Sequence, residues 1–245
     1  MRAKSARLAA DRRKAGARPR PGAVQPRSSG PRMKFADRRE QILAKAADFF
    51  SEYGLTAQTR ALADACGVSQ RMLYRVFPSK DALLAALYER EIVGPFKAVW
   101  FARLADRARP VAERLTAFYE DYFRSVLARR WLRLFLYASL AEADMAPAYI
   151  AAIVTRILET IVEEAAAEQG LVLPRERALV HEIGWTLHGA VSHLAIRREV
   201  YNNATEVPVD RVIDLHVRAF LAALPALLAP ARPAARSARS EKVVS

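Results

Sequence analysis

From Asp37 onward the apolar positions recur with a helical period. Ile42, Ala46, Phe49, Phe50 and Tyr53 stand at i, i+4, i+7, i+8 and i+11, one stripe along a helix. Gly54 closes the pattern as a glycine just past a helix end does. A short helix is predicted over 59–65, with Leu62 and Ala63 inward, and Gly67 turns the chain. Ser69 is placed to cap a second short helix over 70–76. Pro78 stops that helix and Ser79 caps the next, on which Leu83, Leu84, Leu87 and Tyr88 share a face. Gly94-Pro95 marks a kink or boundary.

The same rhythm predicts helices over 95–106, 111–128, 130–143, 147–169, 175–201 and 208–228. Their breaks are Pro110, Ala146-Pro147, Gly170 with Pro174, and Asn202-Asn203 with Pro208. The last two would run about 40 and 31 Å at a rise of ~1.5 Å per residue. Glycine is scarce, at 9 of 245 residues, and β-branched runs are short. The expected fold class is all-α, with a small N-terminal group of short helices followed by a larger helical domain. No internal repeat is visible.

Charge sharpens the domain boundaries. Net charge is +13, but residues 1–34 hold eleven Lys/Arg against Asp11, and 230–245 hold four against Glu241. Residues 35–229 carry 24 of each sign and are neutral. The ends are rich in Ala, Arg, Pro and Ser, and lack the apolar surface to offset ordering entropy. We expect a disordered basic tail over 1–34, a first domain over 35–93, a second over 94–229 and a disordered tail over 230–245. The first tail reads equally as a basic arm adding phosphate contacts or as sequence upstream of a start at Met33. No apolar segment follows the basic N-terminus, so no secretory signal is expected. The most apolar run, "WLRLFLYASLA" (131–141), is short and interrupted by Arg133. The single Cys66 fits a reducing cytoplasm and reads as a small packed residue.

The stretch "CGVSQRMLYRVFPSK" (66–80) holds the candidate chemistry. Two short helices joined by a glycine turn, packed on a longer preceding helix, make a helix-turn-helix, with Leu62, Val68 and Leu73 holding the pair together. The second helix of such a motif enters the DNA major groove. Gln pairs with adenine, Arg pairs bidentately with guanine and Ser serves either base. On that ground Ser69, Gln70, Arg71, Tyr74 and Arg75 are candidate DNA-contacting residues, with Tyr74 offering its hydroxyl to a phosphate. Lys80 lies in the first turn of the next helix, where backbone N–H groups also favour a phosphate. Within 58–80, Arg60, Arg71, Arg75 and Lys80 face one acid, Asp64. A solvated face is the competing reading for Arg71 and Arg75.

The run "RREQILAKAADFFSEYGLTAQTRALADACGVSQRMLYRVFPSKDALLAALYE" resembles the N-terminal DNA-binding domain of the TetR family of bacterial transcriptional regulators. The matching elements are Ile42-Leu43, Ala46-Ala47, Phe50, Gly54, Leu62-Ala63, Gly67-Val68-Ser69, Leu73-Tyr74, Phe77 and Ser79-Lys80. Two departures stand out. The family often has Thr or Ser near Gln58, capping the second helix and touching phosphate, a role Thr56 or Thr59 would take here. It often reads Gly-Thr where this chain has Arg71-Met72, which gives Arg71 a contact many relatives lack. Thr59 and Arg60 join the candidate DNA contacts.

The resemblance implies that the second domain dimerises and binds a small ligand. It implies double-stranded palindromic DNA, a second copy of the chain and a small-molecule effector as partners. It also implies a bacterial cytoplasmic, nucleoid-associated location, with repression the usual mode. Two half-sites raise affinity and specificity beyond one short recognition helix, which independently favours a dimer. Candidate dimer stripes are Gly184, Leu187, Val191 and Ala195 on the helix over 175–201, and Val212, Leu215, Ala219 and Ala222 on that over 208–228, with intramolecular packing the alternative. Candidate pocket residues are Trp100, Tyr119, Tyr122, Phe123, Trp131, Tyr137, Trp185 and His188, walls suited to a hydrophobic or aromatic effector.

His181-Glu182 begins like a zinc-protease helix, but position 185 is Trp, so the second ligand fails and no metal or other cofactor is expected. Gly-x-Ser-x-Gly, P-loop and dinucleotide fingerprints are missing, which disfavours an enzyme. A DNA-binding regulator without a small ligand, or under a protein partner, is the alternative function. A cavity among the aromatics would separate the two.

Overall fold

The computed structural model describes residues 34–141, 145–203 and 206–229. The expected tails therefore lie outside the described residues, apart from the exposed Lys34. Every regular element among the described residues is helical, in agreement with the expected class.

The first four helices are α1 (Phe35–Tyr53), α2 (Thr59–Cys66), α3 (Gln70–Val76) and α4 (Lys80–Leu87). Ile42, Ala46 and Phe50 of α1 are fully buried and pack with Leu62, Ala63, Leu73 and Phe77 in the core. The stripe ends sooner than its periodicity suggests. Tyr53 is 70% exposed and leans on Phe49 with ring centroids 4.9 Å apart. Gly67 closes α2 at φ 68°, a left-handed conformation that a Cβ would strain. It lets the Gly67 and Val68 N–H groups donate to Asp64 and Ala63 O, each at 3.0 Å. Ser69 and Ser79 cap α3 and α4, their hydroxyls accepting from Met72 N at 3.2 Å and Ala82 N at 3.0 Å.

The remaining helices are α5 (Val99–Leu104), α6 (Val111–Ser125), α7 (Arg129–Leu140), α8 (Met145–Tyr149), α9 (Thr155–Glu168), α10 (Arg177–Ala195) and α11 (Val209–Leu228). Three π-helical segments join or extend them: Tyr88–Val93 after α4, Ile150–Val154 between α8 and α9, and Ile196–Val200 after α10. Periodicity cannot anticipate these wider turns, since each shifts the face by one residue without breaking the helix. The expected helix over 95–106 is shorter than read, because the turn at Val93–Phe96 delays its start.

Helices α6, α9, α10 and α11 pack on one another. Gly184 is needed where α10 meets α9, since a Cβ there would lie 2.8 Å from Leu158 Cβ and 3.1 Å from its backbone. A buried polar knot ties the layer together. Arg114 donates to Glu164 Oε2 at 2.9 Å, to Glu168 Oε2 at 3.2 Å and to Leu104 O. Glu168 also accepts from Val111 N at 2.7 Å, so α9 caps the start of α6. Pro225 inside α11 has no N–H for Leu221 O, and Gln169 Nε2 donates to that carbonyl instead, at 3.0 Å.

Helix α7 ties the second group to the first. Arg130 reaches Asp48 at 3.1 Å and Glu91 at 3.0 Å. Arg133 donates to Ser51 O and, at 3.1 Å, to Glu52 O, satisfying carbonyls at the end of α1. Trp131 Nε1 donates to Ile92 O, in the π segment after α4, at 3.2 Å.

Candidate functional site

Helix α3 has two sides. Leu73 and Val76 are buried, while Gln70, Arg71, Tyr74 and Arg75 are exposed. Ser69 before it and Arg60 on α2 are exposed as well. The fold holds part of this face in place. Thr59 Oγ1 lies 3.2 Å from Tyr74 Oη, and Gln70 Nε2 donates to Thr59 Oγ1 at 3.3 Å. One hydrogen-bonded cluster thus joins the start of α2 to α3. Gln58 makes no side-chain cap on α2. Thr59 holds Gln70 and Tyr74 instead of replacing that cap.

Two candidate roles are narrowed by geometry. The Ser69 hydroxyl is already engaged as the α3 cap. Lys80 is half-buried, its ammonium 6.0 Å from the Phe50 ring centre and donating to Ala57 O at 3.1 Å. Sequence reasoning missed Lys45, which donates to Cys66 O at 3.5 Å, at the end of α2. Burial pushes the Cys66 thiol up despite Lys45, as befits a packed residue.

The second site is a cavity of about 120 Å³ lined by Tyr122, Leu127, Trp131, Leu132, Phe135, Leu136, Tyr149, Ile150, Val154, Trp185, His188, Ser192 and Ile196. Of the expected pocket residues, Tyr122, Trp131, Trp185 and His188 line it. The others do not. Trp100 is buried, its Nε1 donating to Asp121 Oδ2 at 2.8 Å. Phe123 is core, and Tyr137 lies 3.5 Å from the Cβ position of Gly54 and accepts from Arg133. Tyr119 stands behind the wall, its hydroxyl 3.4 Å from His188 Nδ1. A signal for part of the missed lining was present: Trp185, His188, Ser192 and Ile196 fall at i, i+3, i+7 and i+11.

The cavity walls are uncharged. Burial holds His188 down to about 4, so the imidazole is neutral near pH 7. Desolvation raises Tyr119 and Tyr122 well above the usual phenol range and Tyr149 to about 12. Trp131 and Phe135 stack with centroids 4.7 Å apart and planes 11° apart, forming one wall.

The two expected dimer stripes differ in their surroundings. Gly184, Leu187, Val191 and Ala195 are all buried within the chain, so the expectation that they cover a partner is corrected. They point at α9 and its neighbours, and one helix's period cannot say which neighbour covers it. Leu215, Ala219 and Ala222 are exposed on α11, and Val212 is half-buried. His181 Nε2 sits 2.9 Å from Glu159 Oε1, which Arg177 also approaches at 3.2 Å. No group of three His, Cys, Asp or Glu suited to a metal occurs among the described residues. No helix among the described residues is long and apolar enough to cross a membrane.

Residues 42–87 match the family described as bacterial regulatory proteins, tetR family. Solved structures with the same fold include a TetR-like transcriptional regulator from Rhodococcus sp. RHA1, 22% identical, with a TM-score of 0.59, covering 78% of this chain and 99% of that one. A TetR family transcriptional regulator, PfmR from Thermus thermophilus, is 20% identical, with a TM-score of 0.54, covering 74% and 97%. The fatty acid degradation regulator FadR from Bacillus halodurans is 16% identical, with a TM-score of 0.53, covering 75% and 94%. No curated protein sequence matches the chain. With the helix-turn-helix in hand, residues 42–87 are similar to the DNA-binding segment of bacterial regulatory proteins of the tetR family, and the chain shares the all-α fold of the solved TetR-family regulators.

Proposed function

We propose that the chain is a dimeric repressor that binds a palindromic operator in the bacterial cytoplasm, at the nucleoid, and leaves it when a small apolar ligand enters the cavity beside α7. The observation that carries this is the two-sided α3. Its apolar side is locked into the core while Gln70, Arg71, Tyr74 and Arg75 stand exposed, ready to meet base edges and phosphates. Arg60 and Lys80 add positive charge on the adjoining helices.

Dimerisation through α10 and α11 is supported by what those helices leave uncovered. On α11 the exposed stripe is Leu215, Ala219 and Ala222. On α10 the outward positions are Glu182, Thr186, half-buried Gly189 and His193, and the space beside Gly189 is open. Small residues on both helices allow a close four-helix contact.

Coupling is supported by α7, which lines the cavity with Trp131, Leu132 and Phe135 and holds the first domain through Arg130, Arg133 and Trp131. A ligand that wedges α7 shifts the π segment after α4, and the two recognition helices lose the spacing of successive grooves. A ligand acts this way only by binding the two states unequally. The existence of the cavity favours this reading over a ligand-independent regulator.

Selection of bound duplexes from a random pool tests the reading. An inverted repeat with half-sites about one helical turn apart is expected. Enrichment of no inverted repeat at modest salt would rule out a dimeric operator reader.

A further inference from the structure

We propose that the cavity bounded by α7, α10 and the π segment Ile150–Val154 takes a neutral, single-ring aromatic molecule carrying one hydrogen-bond-accepting oxygen. This deepens the ligand-responsive reading and rests on it for its consequence at DNA.

Four features of the cavity point to that class. No Asp, Glu, Lys or Arg lines it, so a charged ligand would be buried without a counter-charge. Its volume, about 120 Å³, is close to the ~150 Å³ of a dry cavity that takes benzene, and well below the ~300 Å³ of the smallest drug-sized pockets. The stacked Trp131 and Phe135 offer a flat wall to one ring.

The fourth feature is the direction of the hydrogen bonds. Tyr119 is fully buried, and its hydroxyl has His188 Nδ1 at 3.4 Å. Assigning Tyr119 as the donor satisfies its buried O–H, which no other group among the described residues takes up, and places the proton of the neutral His188 ring on Nε2. His188, a lining residue, then offers a donor. The hydroxyls of Tyr122 and Tyr149, 3.5 Å apart, share one hydrogen bond and leave a second O–H to donate. Both polar spots want an acceptor from the ligand.

Isothermal titration of the full chain at pH 7 with phenol, toluene, benzoate, benzylammonium and 4-phenylphenol tests this. Phenol is expected to bind at least tenfold more tightly than toluene and at least a hundredfold more tightly than benzoate or benzylammonium. The two-ring 4-phenylphenol is expected to bind more weakly than phenol. His188→Phe should shrink the preference for phenol over toluene at least threefold, leaving the share owed to Tyr122 and Tyr149. Should that variant not fold, Ser192→Leu narrows the cavity from α10 and should weaken phenol and toluene alike by tenfold or more. Benzoate binding as tightly as phenol, toluene equalling phenol on the unaltered chain, or Ser192→Leu leaving phenol unaffected would each overturn the proposal. The expected order without any change in operator affinity supports the site and sinks the ligand-responsive reading. Operator release by ligands that ignore this order does the reverse.

Discussion

Thr59, Gln70 and Tyr74 act as one unit because a single hydroxyl serves both neighbours. With one N–H of Gln70 Nε2 held by Thr59, the amide oxygen and the second N–H are left to face a base. That oxygen pairs with an amino group, adenine N6 or cytosine N4. Gln70→Ala is therefore expected to relax preference at one base pair of each half-site by about 1–3 kcal/mol. Thr59→Val should act at that same base pair, in the same direction and more weakly. Affinities across single-base operator variants check both. Unchanged discrimination in Gln70→Ala would remove its base-reading role. His188 makes a second prediction at this scale. Its folded value of about 4 lies below the usual 6.5, so the unfolded chain binds the proton first. Stability is full above pH 6.5, falls as the pH drops toward 4, and loses up to about 3 kcal/mol from this group. His216 is also shifted down, by burial first and Arg197 second, and adds the same sign of slope. Denaturant midpoints of the chain and of His188→Phe between pH 7.5 and 4.5 separate the two, and the variant should show the shallower slope.

Helices here are placed by small residues and by side chains that complete other helices' ends. Gly184→Ala is the clearest case at the scale of an element. Its methyl would meet Leu158 Cβ and backbone, and backbone cannot rotate aside. A loss of about 1–3 kcal/mol from overpacking is expected, read as a lower midpoint in urea. Elsewhere on α10, Gly189 faces open space in the single chain, so alanine there should leave the monomer's fold alone. Glu168 capping α6, Gln169 answering Pro225 and Arg133 closing α1 make one further point together. Each repairs a backbone gap in an element far along the chain, which is why local reading of caps found Ser69 and Ser79 but none of these.

In the whole molecule, the exposed side of α3, the cavity and the outward stripe of α11 lie on different helices, and α7 lines the cavity while holding the end of α1. Leu215 is 54% exposed, so Leu215→Glu combined with Ala219→Glu should cost the single chain little. Two added carboxylates on each copy would repel across a twofold contact. Sedimentation is expected to show a monomer, and affinity for a palindrome should fall to that for a lone half-site. A dimer that survives both changes would place the twofold contact elsewhere.

Local sequence signals specify the helical class, the helix-turn-helix, both serine caps and the exposed side of α3. These follow from periodicity and local hydrogen bonding within a few residues, and α3 falls on the predicted 70–76. Tertiary structure alone decided which apolar stripe faces which neighbour. Gly184, Leu187, Val191 and Ala195 read as a contact face and are core, while Ala219 and Ala222, equally small, are left outside. It also decided which aromatics enclose empty space. Trp100 and Trp131 are alike in type and burial, yet Asp121 claims one indole and the cavity borders the other. Amphipathicity states that a face is to be covered; what covers it depends on residues dozens of positions away.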